Sequence, residues 1–192
     1  MKNTLAATIL MVALSTSAYA ESYNNTSGKI TLESDKFFLS LVSPKTGASE
    51  FAVGGEVGPV NATVTYKRDG SVDDYQVKVG KSMTLPATPV YIGASNSFDW
   101  GDSVAKNTLT IQPHVGVSKT FNKVTPYAET GYSWQSKQGS FTSMARNAAY
   151  IEVGAGYTVT EKLSVGVSIT DTRDKNWNNG DKEAQVGITV KF

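Results

Sequence analysis

The chain has no cysteine, which removes disulfide frameworks, thiolate metal sites and cysteine nucleophiles together. It has a single histidine, His114, so a serine triad or a histidine-based metal site would have to use that residue. Net charge is close to zero, at +1, and no global field draws the protein to nucleic acid. Long apolar runs are missing. Mean hydropathy is −0.23, and past the N-terminal leader nothing approaches the ~20 apolar residues a membrane helix needs. No stretch carries an apolar stripe at helical spacing. Proline is sparse, whereas glycine is frequent and aromatics form 10% of the 192 residues. That length suits one domain.

The first residues form an address. Lys2 supplies a positive start, Leu5 to Leu14 is a short apolar run, and Ser15 to Ser17 end it. Ala18-Tyr19-Ala20 before Glu21 is a small-x-small cleavage site. This is the pattern of a secretory signal peptide on residues 1–20, with the mature domain on 21–192.

From there the period is two. Ala184, Val186, Ile188, Val190 and Phe192 share one face, with Glu183, Gln185, Gly187, Thr189 and Lys191 on the other. The same alternation runs through Ala149–Val159, Leu163–Ile169 and Leu109–Val117, and strict alternation is a strand signal. Short connections at Gly58-Pro59, Asn122-Lys123 and Thr160-Glu161-Lys162 alternate with longer ones at Ser95–Lys106, Gln135–Asn147 and Asp171–Asp181. That is an all-β, up-and-down antiparallel meander of about ten strands, with about eight as the alternative if weak segments merge. Phe51–Val57 and Val60–Tyr66 form a hairpin; Tyr75–Val79 and Val90–Ala94 read as strands. Lys29–Val42 holds at least one strand, although its pattern changes phase near Phe37-Phe38. An even count places both termini on the periplasmic side.

The polar face separates a transmembrane barrel from a soluble sandwich. It reads Tyr150, Glu152, Gly154, Gly156, Thr158 on one strand and Ser164, Gly166, Ser168, Thr170 on the next. Glycine weakens a strand unless space requires it, and here it falls on one face only, as in a crowded lumen. The aromatics sort into two bands. Phe121, Tyr157 and Phe192 lie beside short turns or at the terminus, and Phe51, Tyr66, Tyr75, Tyr132 and Trp134 lie toward the long loops. Two such bands are the girdles of a barrel at its two membrane interfaces. Outer-membrane lipid and lipopolysaccharide are then the surroundings, and the protein is read as a monomer in the outer membrane of a Gram-negative bacterium.

The last strand, Val186-x-Ile188-x-Val190-x-Phe192, resembles the C-terminal signal read by the outer-membrane barrel assembly machinery. With the signal peptide and the meander, the chain resembles the small OmpA/OmpX-like outer-membrane barrels. That family includes adhesins, invasins, narrow pores and lipid-modifying enzymes, so the resemblance implies a fold and a location without choosing a function.

No catalytic, cofactor or metal signature stands out. Lipid A-deacylating barrels carry His and Ser two residues apart on one strand, and Gly116 stands at that spacing from His114. A two-residue turn at Asn122-Lys123 pairs Phe121 with Val124, sets His114 opposite Gly131 and places Glu129 on its diagonal. Such a His–Glu pair is more often a structural hydrogen bond than a dyad. Asp171, Asp174 and Asp181 lack calcium-loop spacing. The inward charges Glu56, Glu129, Glu152 and Glu183 oppose Lys78 and Lys191, while Arg68, Arg146 and Arg173 fall in loops. Either water solvates these acids, giving a narrow cation-preferring channel, or Lys78 and His114 pair with them, giving a closed barrel. Phe98, Trp100, Phe141 and Trp177 lie in loops, suited to recognition or to packing on the rim. The leading expectation is a non-enzymatic barrel with an envelope or surface-interaction role. A passive channel is the second, and a lipid-modifying enzyme the disfavoured third.

The terminal motif generates a test. Deleting Phe192 is expected to lower the yield of folded barrel in the outer membrane while export continues; an unchanged yield would contradict the assembly-signal reading.

Overall fold

The computed structural model describes residues 25–102, 107–136, 145–174, 176 and 181–192. The signal-peptide segment 1–20 and the loop aromatics Phe141 and Trp177 lie outside them. Eleven strands form a single closed barrel. They are β1 (Asn25–Glu33), β2 (Phe37–Pro44), β3 (Ser49–Val57), β4 (Val60–Asp69), β5 (Val72–Thr84), β6 (Val90–Gly101), β7 (Thr108–Ser118), β8 (Val124–Ser136), β9 (Ala145–Thr160), β10 (Leu163–Asp174) and β11 (Asp181–Lys191). Among the described residues no helix is long and apolar enough to cross a membrane; any crossing is made by strands.

The expected count of ten is corrected to eleven. The added strand comes from Lys29–Val42, which is a hairpin. Ser34 turns it, its backbone N–H donating to Phe37 O (2.9 Å) while its Oγ accepts from Phe37 N (3.2 Å). The three-residue connection is what changes the phase. Outward residues are even before it (Ile30, Leu32) and odd after it (Leu39, Leu41), as the pairs Ile30↔Leu41 and Leu32↔Leu39 require. All neighbouring pairs are antiparallel except β1 with β11, which run parallel from Asn25↔Glu183 to Glu33↔Lys191. Asn25 and Phe192 therefore sit at opposite ends of the barrel, not at one end as an even count implies.

The connections are also shorter than expected at the long-loop end. β6 continues to Gly101, β8 to Ser136 and β10 to Asp174. The polar residues near those strand ends masked the alternation. Phe98 and Trp100 thus belong to β6 rather than a loop, as Arg68 belongs to β4 and Arg173 to β10. Arg146 falls within β9 by its backbone. At the short-turn end, Gly58 (φ 61°) and Asn122 (φ 56°) take the left-handed conformation that tight hairpins demand, which glycine and asparagine adopt at least cost.

Register fixes which way each residue faces. One row reads Leu41, Phe51, Tyr66, Tyr75 and Trp100 across β2 to β6, another Val186, Val167, Ala155 and Pro126 across β11 to β8. These outward rows leave large apolar side chains uncovered, with Val167 56%, Val64 53% and Leu41 50% exposed. A belt of this kind around the whole circumference is far beyond what a water-soluble monomer carries, and a bilayer is the solvent that stabilises it.

Val153 and Val167 lie on that belt; Ser168 faces inward between Val167 and Ile169. Val153→Arg or Val167→Arg is expected to cost about 2–4 kcal/mol of folding free energy in lipid vesicles. Ser168→Arg, whose head group reaches the lumen, should cost less. Equal losses in urea titrations would show the facing to be wrong.

Candidate functional site

The outward aromatics gather at the two ends. At the long-loop end Tyr75 stacks on Trp100 (5.7 Å between centroids), Tyr66 packs on Tyr75 (5.4 Å), Phe98 on Trp100 (5.8 Å) and Tyr132 on Trp134 (6.2 Å), with Phe51 opposite Tyr66. Tyr66 Oη donates to Asp73 (2.7 Å). At the short-turn end Phe37 meets Phe192 edge-on at 5.9 Å, Phe121 lies under the Lys119 ammonium, and Tyr157 faces Val124. Phe37, Phe98 and Trp100 were not placed in the bands from sequence. For Phe98 and Trp100 the usable signal was the even phase of Val90, Ile92 and Ala94, which Asn96 interrupts.

The lumen is hollow and polar. Cavities of about 470, 220 and 300 Å³ lie along it, each far above the ~30 Å³ share of one liquid water. The largest is lined by Gln76, Ser95, Ser97, Thr108, Thr110, Gln112, Ser133 and Gln135 together with Lys67, Asp74, Lys78 and Asp99. Lys78 and Gln112 line all three.

Register places Glu33, Glu50, Glu56, Asp74, Asp99, Glu129, Glu152 and Glu183 inward, against Lys29, Lys67, Lys78 and Lys191. Two of those lysines sit in ion pairs, Lys67 with Glu50 (3.2 Å) and Lys191 with Glu33 (3.9 Å). The acids Glu129, Glu152, Asp99 and Glu183 are held by neutral donors. Tyr150 Oη donates to Glu129 and Tyr127 Oη to Glu152 (2.6 Å). Gln76 Nε2 and Ser97 Oγ donate to Asp99 (2.5 and 3.2 Å), and Ser27 Oγ to Glu183 (2.8 Å). A neutral donor satisfies a carboxylate oxygen without cancelling its charge. Glu56 lies opposite Asn61 near the short-turn end.

Four of the inward glycines are seats for rings. Tyr91 is opposite Gly116, His114 opposite Gly93, Tyr150 opposite Gly131, and Tyr127 opposite Gly154. In each pair the ring lies so close that a Cβ on the glycine would collide with it. Lying flat over these glycines, the rings bring the Tyr150 and Tyr127 hydroxyls to Glu129 and Glu152. Sequence reading attributed the glycines to crowding alone; their partners are visible only once register is known.

His114 lies opposite Gly131, and Gly116 opposite Glu129, so Glu129 is on the His114 diagonal. The two share the 220 Å³ cavity, yet His114 Nε2 bonds Ser82 Oγ at 2.8 Å while Glu129 takes the tyrosine. A serine–imidazole contact is the first half of a nucleophile–base pair. No acid orients the other ring nitrogen among the described residues, so it is a pair and not a triad. Ser82 was missed because β5 was ended at Val79. Asp171, read as a loop residue, is in β10 and paired with Arg173 (2.6 Å). Among the described residues no cluster of three His, Asp or Glu is arranged to hold a metal ion.

Residues 87–192, more than half of the chain, match the family described as cyanophage outer membrane protein like beta barrel domain. No curated protein matches the chain. Among solved structures, the outer-membrane expressed OmpT of Vibrio cholerae is 18% identical, over 74% of this chain and 52% of that one, with a TM-score of 0.33. The loop L8 deletion mutant of the same Vibrio cholerae protein is 16% identical over 75% and 56%, with a TM-score of 0.32. The chain spans about half the length of these structures.

The ring seats generate a paired test. A Cβ on Gly154 would stand 2.6 Å from the Tyr127 ring and 2.6 Å from the Val167 carbonyl, whereas one on Gly156 meets nothing within 4 Å. Gly154→Ala is expected to lose about 1–3 kcal/mol through overpacking. Gly156→Ala should lose nothing, or gain up to about 1 kcal/mol. Unfolding titrations in detergent or lipid check both.

Proposed function

The chain belongs to the family of cyanophage outer membrane protein like beta barrel domains, and from that premise we propose that it is a narrow, water-filled, cation-preferring channel for small solutes. It is an outer-membrane β-barrel protein; the finer role is read from its lumen. The observation that carries the reading is the way the inward acids are held. Glu129, Glu152 and Asp99 are bonded by tyrosine, amide and hydroxyl donors, so their negative charge stays uncompensated beside the cavities. A closed barrel would cancel such charges with arginine or lysine partners, since an unpaired carboxylate in a dry interior is costly. Water in the cavities removes that cost, and acids around a wet path attract cations and repel anions. Eleven strands also exceed the eight that side chains fill.

This places the channel reading ahead of a purely surface role. The function needs no catalytic step, and the His114–Ser82 contact is structural in it. The protein acts as a monomer in the outer membrane of a Gram-negative bacterium, delivered by a cleaved signal peptide on residues 1–20 and inserted by the barrel assembly machinery through its last strand. Around it, outward Arg173 and Lys182 at the long-loop rim suit the phosphates of lipid or lipopolysaccharide.

Purified protein in a planar bilayer under a potassium chloride gradient is expected to give small conductance steps with a reversal potential displaced toward the cation. The double variant Glu129→Gln, Glu152→Gln should move that potential toward zero. No conductance, or an anion preference, would refute the proposal.

A further inference from the structure

Among the described residues that line the three cavities, one inward-facing lysine has no ion pair. Lys78 faces inward from the middle of β5, between Thr63 and Ser97 in register. It is the only charged residue shared by all three cavities. Among the described residues it makes no ion pair, whereas Lys67 and Lys191 each have one. Hydroxyls and amides such as Ser95 and Gln112 surround it, and the acids Asp74, Asp99, Glu129 and Glu152 share cavities with it without pairing to it. An ammonium without a partner is stable only in water, so Lys78 hydrates the point where the cavities meet. It also sits on a flexible four-carbon stem.

The geometry points to Lys78 as the selectivity gate of the conduit, a tethered cation that competes with permeant ions at the cavity junction. A small cation in any of the three cavities, those with Glu129 and Glu152 among them, comes within reach of this ammonium. The wall attracts cations; the tether raises their barrier at one place. At that place the barrier from the fixed positive charge is twice as high for a divalent cation as for a monovalent one, so the tether selects against divalent ions. This inference rests on the channel reading.

Lys29 provides the control. It also faces inward with no ion pair among the described residues, but it lies on β1 beside Gly187, away from the three cavities. Native protein, Lys78→Gln, Lys78→Met and Lys29→Gln are compared in planar bilayers after heat-modifiable migration confirms that each is folded. Lys78→Gln and Lys78→Met are expected to raise cation conductance about two- to fivefold, the effect of one unit charge a few ångströms from the path in a water-like dielectric. They should also raise calcium permeability relative to potassium. Lys29→Gln should change either quantity much less. A silent native protein sinks the channel reading, and the gate with it, even where Lys78→Gln conducts. If the native protein conducts and Lys78→Gln leaves it unchanged, or Lys29→Gln matches it, the gate is refuted and the channel stands. If all four are silent, both fall.

Discussion

A sheet in a bilayer has no water to satisfy an open edge, so this barrel depends on the seam where β1 meets β11. Two adjoining strands at the closure of a meander run in the same direction only when the strand count is odd, and a parallel ladder is slightly the weaker kind. This seam carries additional ties. Ser27 donates to Glu183 and receives from Gln185 (2.8 and 3.1 Å), Lys191 pairs with Glu33, and the Phe192 backbone N–H reaches Glu33 O (3.1 Å). The Phe192 ring then packs against Phe37 of β2. The terminal aromatic therefore joins the two ends of the sheet, a structural duty separate from any recognition of the last strand during assembly.

How legible the fold was depended on where polar residues fell. β9 to β11 alternate without interruption, so their existence and facing could be read directly. The Asn122-Lys123 turn fixed the pairing of β7 with β8 down to His114 opposite Gly131. β1 and β2 resisted because a three-residue turn exchanges odd for even between two short apolar sets, and a reader holding one phase merges them. β5 and β6 were read short because Lys81 and Asn96 occupy outward positions where apolar residues were required. The error in strand number and the error in terminus placement share that single origin at Ser34–Lys36.

The site was less legible, since a lumen is made by register and not by spacing along the chain. That Glu129 and Glu152 face inward follows from period two. That Tyr150 and Tyr127 hold them follows only from cross-strand pairing, and it alters the electrostatics. A bond from lysine or arginine would have cancelled each charge and closed the barrel. A bond from a phenol fixes the carboxylate's position and leaves its field intact, which is worth more to an ion in a confined path than in bulk water.

The two walls of the lumen then differ in kind. On β6 to β9 rings lie across Gly93, Gly116, Gly131 and Gly154 and occupy space. On β9 to β11 the inward glycines Gly156, Gly166 and Gly187 stand side by side in one row. Among the described residues no side chain comes within 4 Å of where a Cβ on Gly156 or Gly166 would be, and on Gly187 only the Lys29 stem does, at 3.8 Å. The same residue type thus serves opposite ends: under a ring it makes a seat for bulk, and in an uncovered row it leaves backbone bare. The filled stretch carries Asp99, Glu129 and Glu152, and the bare stretch adjoins it at β9. A barrel with rings on both walls would approach the filled eight-stranded type, and one with bare glycine on both would lack the hydroxyls that hold Glu129 and Glu152. On the proposed channel reading, selectivity and passage need one stretch of each kind, and the glycines decide which is which.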